Sequence, residues 1–157
     1  MRKVLMYTDG SCAPQTGPGG WAVLIKDGEE TIELSGNEVD TTSYRAELMA
    51  VVHGLEAISS PACVTIYSDT KYIVNGLRGW FYTLRNNKWK TEIPHLQKTL
   101  DLWKRLNRPM HKHRVKTQWV QAHNNHPENE WVDSVARLEK RKIERELIVT
   151  RGNLPND

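Results

Sequence analysis

Four acidic residues in this chain have the types and settings that could do chemistry together: Asp9, Glu47, Asp69 and Asp133. Asp9 follows the apolar run Val4-Leu5-Met6-Tyr7 and precedes Gly10, and Asp69 follows the β-branched run Cys63–Ser68. Each is therefore expected at the C-terminal end of a buried strand. If those strands are parallel neighbours, the two carboxylates emerge side by side, and two helices could add Glu47 and Asp133. Four carboxylates in one pocket repel at neutral pH, so they either hold protons or recruit divalent cations. All-oxygen ligands without cysteine favour hard Mg²⁺, with Mn²⁺ as the alternative, over zinc. Two such ions about 4 Å apart can activate water on one side of a phosphodiester and stabilise the leaving oxygen on the other. Taken singly, each acid reads better as an ordinary solvated residue at a strand end, in a helix first turn or in a loop, so the reading depends on convergence.

The elements that must bring them together can be read from apolar periodicity. After a flexible Ala13–Gly20 segment, Trp21–Lys26 reads as a second strand, Asp27-Gly28 as a tight hairpin turn, and Thr31–Gly36 as an alternating, half-exposed edge strand. From Ser43 the period changes, and Leu48, Val51, Val52, Leu55 and Ile58 recur at helical spacing, with Glu47 in the first or second turn. Ser59-Ser60-Pro61 ends that helix, and Thr70 starts another running to about Leu77. Residues 78–92 read as a short helix and an irregular basic loop. Pro94 starts a helix with Leu96, Leu100 and Trp103 on one side, Val115–Val120 is a fifth strand, and Pro127 opens a last helix through Val132, Val135 and Leu138. Hairpin-linked strands followed by strand–helix–strand crossovers predict one α/β domain with a mixed sheet, residues 1–142, and a partly flexible tail, 143–157. Ligands of such sheets gather beyond the strand C-termini, where Asp9 and Asp69 are expected.

Composition narrows the partners. Net charge is only +3, but residues 1–77 hold five Lys/Arg against ten Asp/Glu, and residues 78–116 hold eleven against two. That basic stretch also contains Trp80, Phe81, Tyr82, Trp89 and Trp103, a mixture suited to phosphate contact with base or sugar stacking; Trp103 is expected in the core. Cys12 and Cys63 lack the spacing of a zinc site, and two buried free thiols are expected. No apolar run is long enough for a membrane span and the N-terminus is unlike a signal peptide, so a cytoplasmic protein with no membrane association is expected, and a monomer.

The flanking residues make the four acids specific. Tyr7-Thr8-Asp9-Gly10-Ser11, Gly17-Pro18-Gly19-Gly20, Arg45-Ala46-Glu47-Leu48, Tyr67-Ser68-Asp69, and His123 with Pro127-Glu128-Asn129-Glu130 before Asp133 closely resemble type 1 ribonuclease H, over roughly residues 3–139. The resemblance implies a five-stranded mixed sheet with three antiparallel then two parallel strands, flanked by helices. It also implies endonucleolytic hydrolysis of the RNA strand of RNA–DNA hybrids, leaving 5′-phosphate and 3′-hydroxyl ends. Asp9 and Asp69 would hold metal most directly, with Glu47 and Asp133 completing the set. Glu47 would meet the RNA near its 2′-hydroxyl, and His123 would assist proton movement or product departure from a mobile loop. Gly10 and Ser11 would face the RNA, and Trp80, Lys88, Trp89 and Lys90 would form a basic handle on the DNA strand. Lys71, beside Asp69, is a candidate phosphate contact or a solvated helix-start cation.

The chain departs from the family pattern in three places. Ala13-Pro14-Gln15-Thr16 replaces a Gly-Asn-Pro stretch, Ser43-Tyr44 stands where amides are common, and Ala122-His123-Asn124-Asn125 replaces a glycine-flanked loop. Gln15, Ser43 and Tyr44 are expected at the minor groove, with contacts that must differ because a phenol lacks an amide's paired donor and acceptor. Losing glycine around His123 should stiffen the backbone and slow turnover or change its pH dependence. Two rivals compete with the hybrid reading: another nuclease or strand-transfer enzyme on the same fold, and a hybrid-binding module whose acids are silent. Intact acids at all four positions weigh against the second.

Overall fold

The computed structural model describes residues 1–14 and 17–152, so Gln15 lies outside the described residues. Strands β1 (Lys3–Cys12), β2 (Gly17–Asp27) and β3 (Glu30–Thr41) form an antiparallel meander. Helix α1 (Ser43–Glu56) crosses to β4 (Cys63–Ser68), and a run of short helices leads to β5 (Arg114–Trp119). The sheet order is β3-β2-β1-β4-β5, with β1, β4 and β5 parallel. This is the mixed five-stranded sheet expected from the sequence. No helix among the described residues is long and apolar enough to cross a membrane.

Alternation along β1 divides the core into two layers. Val4 and Met6 join Val23, Leu48, Val51, Leu55 and Trp103 on the α1 side, whereas Tyr7 joins Ala22, Leu24, Val132 and Ala136 on the other. The second layer is covered by α7 (Pro127–Gly152). Its inward residues, Val132, Ala136, Glu139 and Ile143, recur at helical spacing. Leu138, expected on that stripe, falls well off it and is 57% exposed. Glu139 is buried because it accepts from Asn37 Nδ2 at 2.7 Å and Ser35 Oγ at 3.3 Å, which fastens α7 to β3.

Several boundaries differ from expectation. β1 does not stop at Asp9 but runs to Cys12, because Thr8–Cys12 continue to pair with β2 as far as Cys12↔Gly19; Gly17–Gly20, expected in a flexible segment, belong to β2. The parallel β1–β4 ladder, however, ends at Tyr7↔Tyr67. Asp9 is thus in a strand yet beyond the last residue paired with β4. The helix starting at Thr70 does not end at Leu77: α2 (Lys71–Asn75) passes through a π-helical turn (Gly76–Trp80) into α3 (Phe81–Asn86). The helix opened by Pro94 is broken into α4 (Pro94–Gln97), α5 (Leu100–Arg105) and α6 (Asn107–Lys112). Thr99 interrupts it, donating to the His95 carbonyl at 2.9 Å and accepting from Trp103 Nε1 at 3.0 Å. Pro109 has no N–H for the Arg105 carbonyl, and α5 ends there.

The free edge of β5 has its own device. Val120 N–H donates to the Ser68 carbonyl at 2.9 Å, so by alternation the Thr117 carbonyl points away from β4. Arg78 covers it, donating to that carbonyl at 2.7 Å and to Thr117 Oγ1 at 2.8 Å.

Candidate active site

Three elements far apart in sequence deliver three carboxylates to one place. Asp9 is 3% exposed on β1, and Gly10 N–H donates to its Oδ1 at 2.9 Å. Glu47 lies on α1, whose start is fixed by Thr42 accepting from the Arg45 N–H at 3.1 Å, a side-chain N-cap. α1 comes close to β1 because Gly10 has no side chain: a Cβ there would lie 2.5 Å from the Glu47 nitrogen. Asp69 follows β4, and Trp119 Nε1 donates to its backbone carbonyl at 3.2 Å. One ligand atom from each of Asp9, Glu47 and Asp69 lies within 4.8 Å of the others.

Asp133 is the outer member. It is half-buried on α7, outside that tight group, and its carboxylate is paired with Arg137 Nη2 at 2.8 Å, one helical turn on. It is still close enough to act on Asp9 through a side-chain hydrogen bond and charge, and on Asp69 through charge. α7 can lie this near because Gly20 leaves room: a Cβ there would stand 2.6 Å from Lys140 N and from Glu139 Cβ.

The electrostatics follow from burial and crowding. Asp9 is pushed up to about 8, first by burial and then by the charge of Asp69. Burial and then the charges of Asp9 and Asp69 raise Glu47, and burial and then Asp133 raise Asp69. A nearby His123 charge opposes the rise at Asp69. Glu47 Oε2 is buried with no hydrogen-bond partner among the described residues. An orphaned carboxylate oxygen facing two more carboxylates is a donor set that fits a hard divalent cation, and cation binding would remove the repulsion that holds these groups up.

Comparison with known proteins gives this arrangement a family. The RNase H family model matches residues 1–141. The ribonuclease H of Rhodopseudomonas palustris (strain BisB5) is 42% identical over 137 residues, covering 87% of this chain and 91% of the relative. That of Rhodospirillum rubrum is 44% identical over 135 residues, covering 86% and 81%. This chain belongs to the RNase H family. Among solved structures, LC9-RNase H1, a type 1 RNase H with the type 2 active-site motif, superposes with a TM-score of 0.78 at 25% identity, covering 90% of this chain and 74% of that one. LC11-RNase H1 in complex with RNA/DNA hybrid shares the fold with a TM-score of 0.66 at 20% identity, covering 88% and 97%. As an RNase H, the chain is a hydrolase, as its motifs implied.

The remaining expected residues of this RNase H fall into separate groups. His123 is exposed with φ 56°, and Asn125 has φ 55°, so the loop takes left-handed conformations at residues that carry side chains. Ser43 opens α1. Tyr44 is 44% exposed and stacks on Tyr72 at 4.0 Å, and Trp80 and His95 meet Tyr72 at 5.2 and 5.6 Å. Together they make an aromatic surface between α1 and the basic stretch. Lys71 sits over the Trp119 ring at 5.6 Å. Lys88 and Lys90 are exposed, but Trp89 is half-buried with its ring 5.8 Å from Phe81, so the strained Lys88-Trp89 pair (φ 55° and 62°) sends the cation out and the indole in. Ser11 is half-buried beside Arg137 and Lys140. Sequence reasoning missed Arg137, which its spacing four residues after Asp133 could have revealed. It also missed Trp119, which only the fold brings to Asp69.

Proposed function

We propose that this RNase H is an endoribonuclease that cleaves the RNA strand of RNA–DNA hybrids, leaving 5′-phosphate and 3′-hydroxyl ends. One observation carries the reading: Asp9, Glu47 and Asp69 converge to within 4.8 Å with a buried, unpartnered Glu47 oxygen. Asp9, Asp69, Glu47 and Asp133 would hold Mg²⁺, or Mn²⁺ in its place. A pair of such ions supplies two-metal-ion chemistry, in which water is activated and charge on the leaving oxygen is neutralised. The chain's own part is to orient and to move protons. Glu47, on the rim formed by α1, faces the 2′-hydroxyl that distinguishes RNA from DNA. His123, in its exposed loop, helps to deliver the proton that the departing 3′-oxygen takes up.

Substrate contacts in this reading come from three sides. Gly10 and Ser11 meet the RNA, Gln15, Ser43 and Tyr44 lie at the minor groove, and Lys71 adds a cation beside Asp69. Trp80, Lys88, Trp89 and Lys90 hold the DNA strand. Residues 1–142 carry the chemistry, 143–157 are an appendage to it, and the protein works in the cytoplasm as a monomer. A gel of a hybrid labelled on its RNA strand tests the central claim, with Mg²⁺, with Mn²⁺ and with chelator, beside duplex DNA and duplex RNA. Metal-dependent cutting of the hybrid alone is expected. Equal cutting of duplex DNA, or binding without any cutting, ends the reading.

A further inference from the structure

A groove of about 290 Å³, lined by Ser11, Arg137, Lys140, Arg141 and Glu144, opens beside the carboxylate site. Ser11 lies two residues beyond Asp9 on β1, and alternation puts both side chains on the α7 face. On α7, positions 133, 137, 140, 141 and 144 fall on one stripe at helical spacing, so the groove runs straight on from Asp133. Lys140 and Arg141 lie about 10–12 Å from Asp133 along the helix axis, the reach of two or three nucleotides of one strand.

The charges in the groove do not cancel. Arg137 is paired with Asp133 at 2.8 Å and Lys140 weakly with Glu144 at 3.5 Å, while Arg141 is exposed and has no acidic partner among the described residues. Arg137 and Lys140 keep 48% and 26% of their side chains accessible. Lys140 is half-buried and Arg141 exposed.

We infer that this groove binds phosphates of the cleaved strand two or three nucleotides from the scissile bond, extending the nucleic-acid footprint along α7, away from the basic stretch of residues 78–116. The inference rests on the proposed hybrid substrate. It assigns Lys140 and Arg141 as cations that set affinity and footprint without touching the reacting atoms. Ser11 adds a hydroxyl donor at the groove mouth, and Glu144 limits the charge.

The experiment compares wild type, K140A/R141A, and the charge-matched control K3A/R114A. The control residues are exposed at the opposite end of the sheet, flanking the same β4 position, Cys63. Fluorescence anisotropy with a labelled hybrid in chelator reads Kd across a salt series, and cleavage in Mg²⁺ reads kcat and KM. K140A/R141A is expected to raise Kd and KM about tenfold, leave kcat unchanged, and lower the slope of log K against log salt by roughly 2, since each phosphate contact contributes about 0.9. Shortening the RNA strand past the groove should erase the difference between wild type and variant. A loss no larger than the control's, or one that persists on the shortened hybrids, overturns the inference. Wild type that binds but cuts nothing would sink the hydrolytic reading instead, and the binding arm would still decide the groove.

Discussion

At Asp9 the needs of the site oppose those of the fold. A carboxylate buried beside Glu47 and Asp69 and pushed up to about 8 is unfavourable at neutral pH until a cation arrives. Asp9→Asn keeps the shape and removes the charge. It should abolish Mg²⁺-dependent cleavage by orders of magnitude while stabilising the metal-free protein by about 1–2 kcal/mol, measurable as a Tm several degrees higher without metal and a smaller gain when Mg²⁺ is added. A lower Tm would show that Asp9 is held by compensating bonds. His123 carries a different expectation. Removing a proton-moving side chain costs catalysis about 10²-fold or more, so His123→Ala should lower kcat with little change in KM. Stiffness in its loop belongs to Asn125, whose backbone is left-handed, and not to Ala122, which is not among the positive-φ residues. Asn125→Gly should therefore alter turnover more than Ala122→Gly does, in a side-by-side steady-state assay.

The strands, helices and close approaches show what could be read in advance. β4 was legible to the residue because Cys63–Ser68 is a run rich in β-branched residues between a proline-containing break and an acid. α1 was legible from Leu48, Val51, Val52 and Leu55. The extension of β1 past Asp9 was not, because Gly10-Ser11-Cys12 has no strand-like pattern and is held only by pairing with β2. The π-helical turn at Gly76–Trp80 was hidden because Gly76 lies against the distant Trp103 ring, and the break at Thr99 because its hydroxyl also meets Tyr72 Oη at 3.2 Å, contacts that no local window contains. In the site, the motifs named the three acids that converge, Asp9, Glu47 and Asp69, but not that Asp133 stands outside that trio and leans on Arg137. Gly20 tests the element that sets this distance. Gly20→Ala pushes a methyl against the α7 backbone at Lys140. It should destabilise by about 1–3 kcal/mol in urea unfolding and, by lifting α7, weaken Mg²⁺ binding at Asp133. Loss of stability with unchanged metal affinity would separate α7 packing from the site.

Whole-molecule stability is tied to pH also at a residue remote from the chemistry. His113 is buried; its Nδ1 accepts from the Ala62 N–H at 3.2 Å, and Nε2 has no partner among the described residues. Burial, then Lys112 and Arg2, lower its pKa from 6.5, while the Leu55 and Ile58 backbone oppose that shift. The folded state therefore takes up the proton less readily than the unfolded chain. This stability is fully present above about pH 6.5 and is lost as pH falls below it toward the depressed folded value. His113→Gln should flatten the acid limb of Tm against pH below about 6.5, and an unchanged limb would clear His113 of that role. A second large-scale property returns to Arg78, whose guanidinium occupies the outward Thr117 carbonyl of β5. Bare strand edges template the addition of further strands, and β3 at the other margin is guarded by Glu30, Glu33 and Glu38. Without Arg78 one flank would offer a free acceptor beside an exposed Trp119. Arg78→Ala should make light scattering rise with concentration at temperatures where the variant is still folded, as neighbouring copies zip together edge to edge in a crowded solution.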